Sequence, residues 1–269
     1  MKAAGLTMQK IRRSACAGRF YPADPNELRG VMKSFLVAAE NCGSAPKAII
    51  APHAGYAYSG PVAASAYARF QPARDLIKRV ILVGPSHHAE FSGLAMSSAD
   101  AFVTPLGLVP LDKEALAQIR LLPQMIVFDE AHEPEHCLEV QLPFLQSVLG
   151  EFTIVPLLAG NASDEEIVEV LVALWNGPET RIVVSSDLSH CHDYAAAKTM
   201  DQATAQNIEA LRAEQLDDNQ ACGFRPIRGL LHLARLRGLR PSCVDLRNSG
   251  DTAGRRDRVV GYGAFIFAG

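Results

Sequence analysis

Histidines follow three separate apolar segments of the chain, in each case at the point where the segment ends. KAIIAP (47–52) is followed by His53, RVILVG (79–84) by His87 and His88, and TRIVVSS (180–186) by Asp187 and His190. Ligand sites in open α/β sheets form at the carboxyl ends of strands, so three strands can bring these side chains together. Imidazole nitrogens bind metals and exchange protons near neutral pH. Although one histidine after a strand is usually an ordinary loop residue, three such endings predict one histidine-lined site.

A fourth group of titratable residues lies in DEAHEPEHCLEVQLPFL (129–145). Pro134 argues against a regular helix through the first half of this segment, because proline disrupts a helix interior. From His136 onward the pattern is amphipathic, and on a helix His136 and Glu139 would share one face. Two interpretations stay open: both side chains point into the pocket, or the acidic residues favour the N-terminal end of a helix dipole.

Nucleophilic catalysis has less support. Ser86, His190 and Asp187 are of the types that form a Ser/His/Asp group, but no G-x-S-x-G or cysteine-protease signature accompanies them. Neither a P-loop nor a G-x-G-x-x-G pattern occurs, so the sequence gives no sign of a phosphate-binding loop. Metal binding and proton transfer by histidine are the better supported chemistry.

The segments that position these residues alternate between strands and helices. Apolar runs rich in β-branched residues predict strands covered on both faces at 47–52, 79–84, 152–158, 180–186 and 259–268. Helical periodicity and capping residues predict helices at 25–40, 163–177, 193–215 and 226–238. The less regular region 89–150 is expected to hold a hairpin, with extended pieces from 103–112, and a helix. The alternation predicts a layered α/β/α fold with a mostly central sheet, and the lack of a linker predicts one domain over residues 1–269.

Composition limits the classes of partner. The 269 residues carry a net charge of −3 and are 48% hydrophobic and 20% charged, which is typical of a globular protein and gives no electrostatic case for binding nucleic acid or anionic lipid. The six cysteines show no C-x-x-C pair, which favours reduced thiols. Neither a secretory signal nor an apolar run of membrane-spanning length is found. The expected location is therefore the cytoplasm.

Several motifs in fixed order closely resemble those of the Memo family. They are AGRFYP (17–22), APHAGYAYSG (51–60), GPSHH (84–88), EHCLEVQLPFL (135–145), VVSSDLSH (183–190), CGFRPI (222–227), NSGDT (248–252) and a terminal VVGYGAFIF. The likeness extends over nearly the whole chain.

This resemblance implies a fold similar to that of class III extradiol dioxygenases, which hold non-haem iron(II) with two histidines and a carboxylate. Carried over by motif, His53 and His87 match the two histidine ligands, and His190 matches an acid/base histidine. The stretch 247–258 lies where a third ligand is expected, and Asp251 is its nearest plausible carboxylate. The implied cofactor is a divalent metal, iron in the first place, although imidazole suits copper and zinc as well. Other residues are expected to line the pocket: His88, His136, Glu139, Asp187 and Cys222.

The resemblance also implies a function. The leading hypothesis is a Memo-like protein with a histidine-lined metal pocket that acts with a radical SAM protein and an AMMECR-type protein. A second hypothesis is an active iron(II)-dependent dioxygenase on a small aromatic diol or related substrate. A third is a non-catalytic module that holds a peptide or partner protein in the pocket. The sequence names neither the substrate nor the oligomeric state.

Overall fold

A mixed β-sheet forms the centre of the protein, with helices packed around it. The computed structural model describes residues 9–39, 43–175 and 177–269. The strands are β1 (Ile11–Arg12), β2 (Ala48–Ala51), β3 (Arg79–Pro85), β4 (Leu94–Met96), β5 (Ala101–Thr104), β6 (Gly107–Pro110), β7 (Met125–Val127), β8 (Thr153–Ala159), β9 (Thr180–Ser185), β10 (His190–His192), β11 (Arg240–Asn248) and β12 (Val259–Ala268). The helices are α1 (Pro25–Ala38), α2 (Tyr56–Tyr67), α3 (Lys113–Ile119), α4 (Asp129–His132), α5 (Leu142–Val148), α6 (Asp164–Ala173), α7 (Tyr194–Glu209) and α8 (Phe224–Arg237).

Within the described ranges, the large sheet has the order β10-β12-β2-β9-β3-β8-β4-β7, with β11 also paired to β12. Its four central strands, β2, β9, β3 and β8, are parallel to one another. Strand β12 joins β2 antiparallel, and β4 joins β8 antiparallel. A separate small sheet has the order β1-β5-β6. The predicted α/β/α class with a mostly central sheet is confirmed.

The central strands consist of apolar residues because helices cover both faces of the sheet. Every residue of β2 and β9 is buried. In β3 and β8 only the first residue is partly exposed. Because β2, β9 and β3 are parallel neighbours, their carboxyl ends lie at the same edge of the sheet, and the segments that follow them begin side by side.

The predicted helices begin where their capping residues stand. The side chain of Asp24 accepts hydrogen bonds from the first turn of α1, and Ser163 and Glu166 form a reciprocal capping box on α6. Helix α8 ends at Gly238, whose φ of 65° is the left-handed conformation that glycine adopts without strain. The predicted end of the first helix, at residue 40, and the residue at 176 lie outside the described residues.

Some elements differ from the sequence prediction. The hairpin expected around 103–112 is formed by β5 and β6. The helix predicted over 193–215 ends at Glu209 and is followed by a 3₁₀ helix over Ala213–Gln215. Helix α2 was not predicted, because its small residues and internal Pro61 lack a clear amphipathic pattern. The single-domain assignment over 1–269 stays a prediction, since it includes residues outside the described ranges.

No helix in the described part of the chain is long and apolar enough to cross a lipid bilayer.

One buried histidine links the stability of this fold to pH. His132 is 1% exposed, and its Nε2 lies 3.1 Å from the carbonyl oxygen of Ala95. Burial lowers the pKa of His132 from 6.5 to about 4, with Arg12 acting in the same direction and Asp129 and Glu135 opposing it. Between these pH values the unfolded chain therefore binds more protons at this position than the folded chain.

We expect the free energy of unfolding to fall as the pH falls from 6.5 toward 4, with His132 contributing at most about 1.4 kcal/mol per pH unit. The variant His132→Gln keeps a donor for Ala95 but has no proton to gain. Urea unfolding of both proteins at several pH values measures the difference. Identical pH dependence of the two unfolding free energies would contradict this role.

Candidate metal centre

His53 stands just past the end of β2, and its orientation is set by the last residue of the neighbouring strand β9 and by a residue just after it. Its side chain is 2% exposed. The main-chain N–H of His53 donates to Oδ1 of Asp187 at 2.7 Å, and its ring Nδ1 lies 2.9 Å from Oγ of Ser185. The remaining ring nitrogen, Nε2, lies 3.2 Å from Sγ of Cys222. This histidine is held at both its main chain and its ring.

His87 is held by a single carboxylate. It follows β3, and the side chain of Glu135 spans its main chain and ring: the N–H of His87 donates to Oε2 at 2.7 Å, and Nδ1 lies 2.9 Å from Oε1. Glu135 is itself buried, and it also accepts from the main-chain N–H groups of His136 and Cys137. Although burial alone would raise it, hydrogen bonds and charge from His87 hold the pKa of Glu135 well below its usual range.

Cys222 completes a three-donor group with these histidines. It precedes α8, and its Sγ lies 3.2 Å from Nε2 of His53. The next residue, Gly223, donates its N–H to Oγ of Ser186 at 2.9 Å, and a Cβ at Gly223 would come within 2.7 Å of the Cβ of Ser186. Glycine at this position therefore allows the start of α8 to approach the end of β9 closely.

Two groups of donor atoms in the described residues are close enough to hold a metal ion. In the first, one atom each from His53, His87 and Cys222 lie within 4.8 Å of one another. The second contains His87, Glu135 and His136 at the same spacing. In the second group, however, both carboxylate oxygens of Glu135 already accept hydrogen bonds from main-chain N–H groups. The first group is the better metal site, because its imidazole and thiolate donors suit transition metals.

Burial keeps His53, His136 and the Cys222 thiol uncharged before a metal binds. Burial, together with the nearby His87, lowers the pKa of His53 to about 3. Burial and the nearby His53 lower that of His136 to about 4. Burial and the carboxyl group of Asp187 raise the pKa of the Cys222 thiol to about 12. The imidazoles of His53 and His136 are thus neutral at neutral pH. A metal must displace the thiol proton of Cys222 to bind its sulfur.

Further residues surround the three donors. The ring of His136 lies 4.8 Å from that of His87 and 5.4 Å from that of His53, and Phe20 covers it at 4.7 Å. The carboxyl group of Asp187 is buried, and burial raises its pKa. His190 lies on β10 and is exposed, and its charge would affect the pKa values of both His53 and Asp187. His88 is exposed, with its ring 6.2 Å from that of His136.

Two cavities border this arrangement. One, of about 730 Å³, is lined by His136, Asp187 and Tyr58 together with residues of the 249–262 region. The other, of about 560 Å³, reaches Cys222 and lies between the segments 85–92, 159–161 and 222–226. A small molecule in the first cavity would contact a histidine and a carboxyl group beside the donor set.

The structure does not bring Asp251 together with His53 and His87. Its carboxylate accepts from Tyr194 Oη at 2.6 Å and from the N–H of Asn248 at 3.0 Å, where it caps the 3₁₀ helix over Ser249–Asp251. Among the described residues, the three-donor group that contains His53 and His87 has Cys222 as its third member. The sequence predicts Cys222 only as a pocket residue, and the CGFRPI motif that contains it is the signal for its place beside the histidines.

Glu139 also lies elsewhere. No regular helix starts at His136; a 3₁₀ helix over Glu139–Gln141 leads into α5, so His136 and Glu139 do not share a face. The fully buried carboxylate of Glu139 forms an ion pair with Arg12 and accepts hydrogen bonds from Ser14 and Tyr21. It therefore anchors the N-terminal segment that carries Phe20. Ser86 donates to the carbonyl oxygen of Ala89, which leaves the alternative Ser/His/Asp group without support from a hydrogen bond.

Comparisons with known proteins agree with these motifs. The chain matches the family model described as Memo-like protein over residues 12–266. A MEMO1 family protein of Aquifex aeolicus is 34% identical over 269 residues, which cover 96% of this chain and 99% of the relative. MEMO1 family proteins of Sulfolobus acidocaldarius and Aeropyrum pernix are each 36% identical, over 94% and 95% of this chain and 97% and 99% of the relatives.

Removal of the Glu139 carboxylate tests its structural role. We expect Glu139→Ala to lower the free energy of unfolding by about 3–5 kcal/mol, because it leaves the buried Arg12 without its partner. Replacement of both residues, Arg12→Met with Glu139→Met, should cost less than the single change. Urea unfolding of the three proteins measures this. A loss below about 1 kcal/mol in Glu139→Ala would show that the ion pair does not anchor the segment.

Proposed function

The chain belongs to the Memo family, and from this premise we propose that it is a metal-binding protein whose His53, His87 and Cys222 hold one divalent transition-metal ion. The observation that carries the proposal is the convergence of these three donors, from the ends of β2 and β3 and the start of α8, within 4.8 Å. The donors are neutral imidazoles and a thiol, so the protein contributes at most one negative charge. The proposed site uses only imidazole and thiol donors from the described residues.

The donor chemistry limits which metal fits. Two imidazoles with one thiolate suit iron, copper and zinc, whereas calcium and magnesium prefer oxygen ligands. Iron is the metal we propose first, on the basis of the resemblance to iron-dependent extradiol dioxygenases. Three protein ligands leave coordination positions for a substrate, as in catalytic metal sites. A bound metal would supply Lewis-acid or redox chemistry at this point.

The residues around the donors would handle protons and position a ligand. We propose His190 as the acid/base group, since it is exposed to solvent and close enough for its charge to act on His53 and Asp187. Asp187 and His136 line the cavity of about 730 Å³ and can hydrogen-bond a polar ligand there. Asp187 has a second role, because its carboxyl group fixes the main chain of His53.

A second candidate function is that of an active dioxygenase on a small aromatic diol. The observation in its favour is the cavity beside the donor set, which is large enough for an aromatic ring and has a histidine and a carboxyl group in its wall. A third is a non-catalytic module that holds a peptide in the same cavity. Association with radical SAM and AMMECR-type proteins, and a cytoplasmic location, stay predictions from the resemblance and the composition.

Metal content decides between the proposed ligand sets. We expect the His53→Ala/His87→Ala double variant and the Cys222→Ser variant to lose most of the iron, copper or zinc that the wild-type protein binds. Asp251→Asn should keep it, because that carboxylate hydrogen-bonds to Tyr194 and Asn248 instead. Elemental analysis after anaerobic purification and metal loading measures this. Equal metal content in the wild-type protein and the double variant would end the proposal, and loss of metal in Asp251→Asn alone would restore Asp251 as a ligand.

Oxygen uptake tests the dioxygenase hypothesis. The iron-loaded protein is mixed with a panel of catechols under air, and oxygen consumption is followed with an electrode. If the chain is a ring-cleaving enzyme, we expect uptake that falls at least about 100-fold in His190→Ala, the loss typical of removing an acid/base group. His190→Ala should keep its iron. Absence of uptake with every diol at full iron occupancy would exclude catechol cleavage and leave the metal-binding proposal intact.

A further inference from the structure

The segment Glu135–Gln141, within the EHCLEVQLPFL motif, hydrogen-bonds to His87 directly and to His53 through Ser185. It supplies the carboxylate of Glu135 to His87, the carbonyl oxygen of Cys137 to Ser185, and the amide of Gln141 to the same serine. The metal-binding proposal gives no role to these contacts. Some of these atoms can only donate and others can only accept, and this fixes the direction of each hydrogen bond.

The orientation of Gln141 is fixed by its neighbours. One end of its amide lies 3.0 Å from the carbonyl oxygen of Pro52, which can only accept, so this end must be the NH₂ group. The same NH₂ group lies 2.8 Å from Oγ of Ser185. The amide oxygen at the other end accepts from the hydroxyl of Tyr67 at 2.8 Å. Gln141 therefore donates a proton to Ser185.

The proton of Ser185 is also assigned. Its Oγ lies 2.7 Å from the carbonyl oxygen of Cys137, which again can only accept, so the single hydroxyl proton points there. Oγ must then accept from its third neighbour, Nδ1 of His53 at 2.9 Å. Nδ1 of His53 carries the proton, and Nε2 presents a lone pair toward Cys222.

His87 reaches the same state by a different route. The main-chain N–H groups of His87, His136 and Cys137 can only donate, and all three donate to the carboxylate of Glu135. The carboxylate is thus an acceptor for Nδ1 of His87 as well. Nδ1 of His87 therefore carries a proton, and the neutral ring, like that of His53, has its lone pair on Nε2.

We propose that the segment Glu135–Gln141 is a positioning element that fixes both histidine donors in the Nδ1–H tautomer: Glu135 acts on His87, and Gln141 acts through Ser185 on His53. The inference rests on the proposed metal function, which gives the two Nε2 lone pairs their purpose. Hydrogen bonds of this kind to the far nitrogen of a ligand orient the ring and increase metal affinity.

The tautomers are measured first in the metal-free protein. Long-range ¹H–¹⁵N NMR spectra of protein labelled in its histidines distinguish Nδ1–H from Nε2–H rings, with signals assigned from single His→Gln variants. We expect both His53 and His87 to be Nδ1–H, each in a single state. An Nε2–H tautomer at either ring would overturn the inference for that ring, and this result requires no variant of the positioning residues to fold.

The variant Ser185→Ala then tests whether the hydroxyl of Ser185 sets the tautomer of His53. Its matched control is Ser59→Ala, which also removes a buried hydroxyl that donates to a carbonyl oxygen, here that of Ala54. In Ser185→Ala we expect His53 to become a mixture of tautomers while His87 is unchanged. The Kd for Co²⁺, read from the thiolate-to-cobalt absorption, should rise about 10–100-fold. Ser59→Ala should match the wild type in both measurements.

The two proposals fail in different ways. If the wild-type protein binds no Co²⁺ but both rings are Nδ1–H, the metal function is wrong and the tautomer assignment stands. If Co²⁺ binds and Ser185→Ala has the tautomers and Kd of Ser59→Ala, the positioning role is wrong and the metal function stands.

Discussion

Parallel pairing of β2, β9 and β3 is the constraint on which the rest of the site depends. Register within these pairs places Ala51 beside Ser185 and Val83 beside Val184, so the three strands end close together at one edge. A slip of one residue would turn the side chains of a strand to the opposite face of the sheet. Because both faces are buried, changes in strand length and polar substitutions are not tolerated. His53, Ser185 and His87 stand at these strand ends and make the contacts that orient the two histidine rings.

Desolvation sets the chemistry at this edge. His53 is almost fully buried, and a charged imidazolium there would lose its hydration without a compensating partner. The protein therefore holds a neutral ring whose lone pair is available. The same burial keeps the Cys222 thiol protonated in the absence of a metal. A low-dielectric environment thus favours the neutral imidazole, which is the form of histidine that binds a metal. It opposes the thiolate, which is the form of cysteine that binds a metal, so metal binding must compensate for loss of the thiol proton.

Two buried carboxylates in one short segment bind different partners and have different roles. Glu135 turns toward the strand ends and holds His87. Glu139, four residues later, holds Arg12 and with it the N-terminal segment that places Phe20 over His136. Each carboxylate is satisfied by several donors, which is what allows a charge to be buried at all. Pro134 and the 3₁₀ helix explain why the segment does not follow the regular helical spacing.

The sequence by itself determined the main strands and helices and the reactive side chains that follow the strands. Continuous β-branched runs gave the central strands, Asp24 and Ser163 gave two helix starts, and His53, His87 and His190 stood out by following strands. These signals are local, because burial on both faces and capping act within a few residues. Helix α2 escaped notice since its small residues carry no clear period.

Only the tertiary structure decided which third donor lies beside His53 and His87, and which hydrogen bonds these two histidines make. Asp251 and Cys222 are both remote from His53 along the chain, and either residue type can bind a metal. The choice depends on where α8 and the Ser249–Asp251 turn pack, which is a long-range property of the fold. The donors and acceptors that fix the two imidazoles likewise come from separate strands and from the segment Glu135–Gln141. Their roles follow from distances between atoms that sequence spacing does not contain.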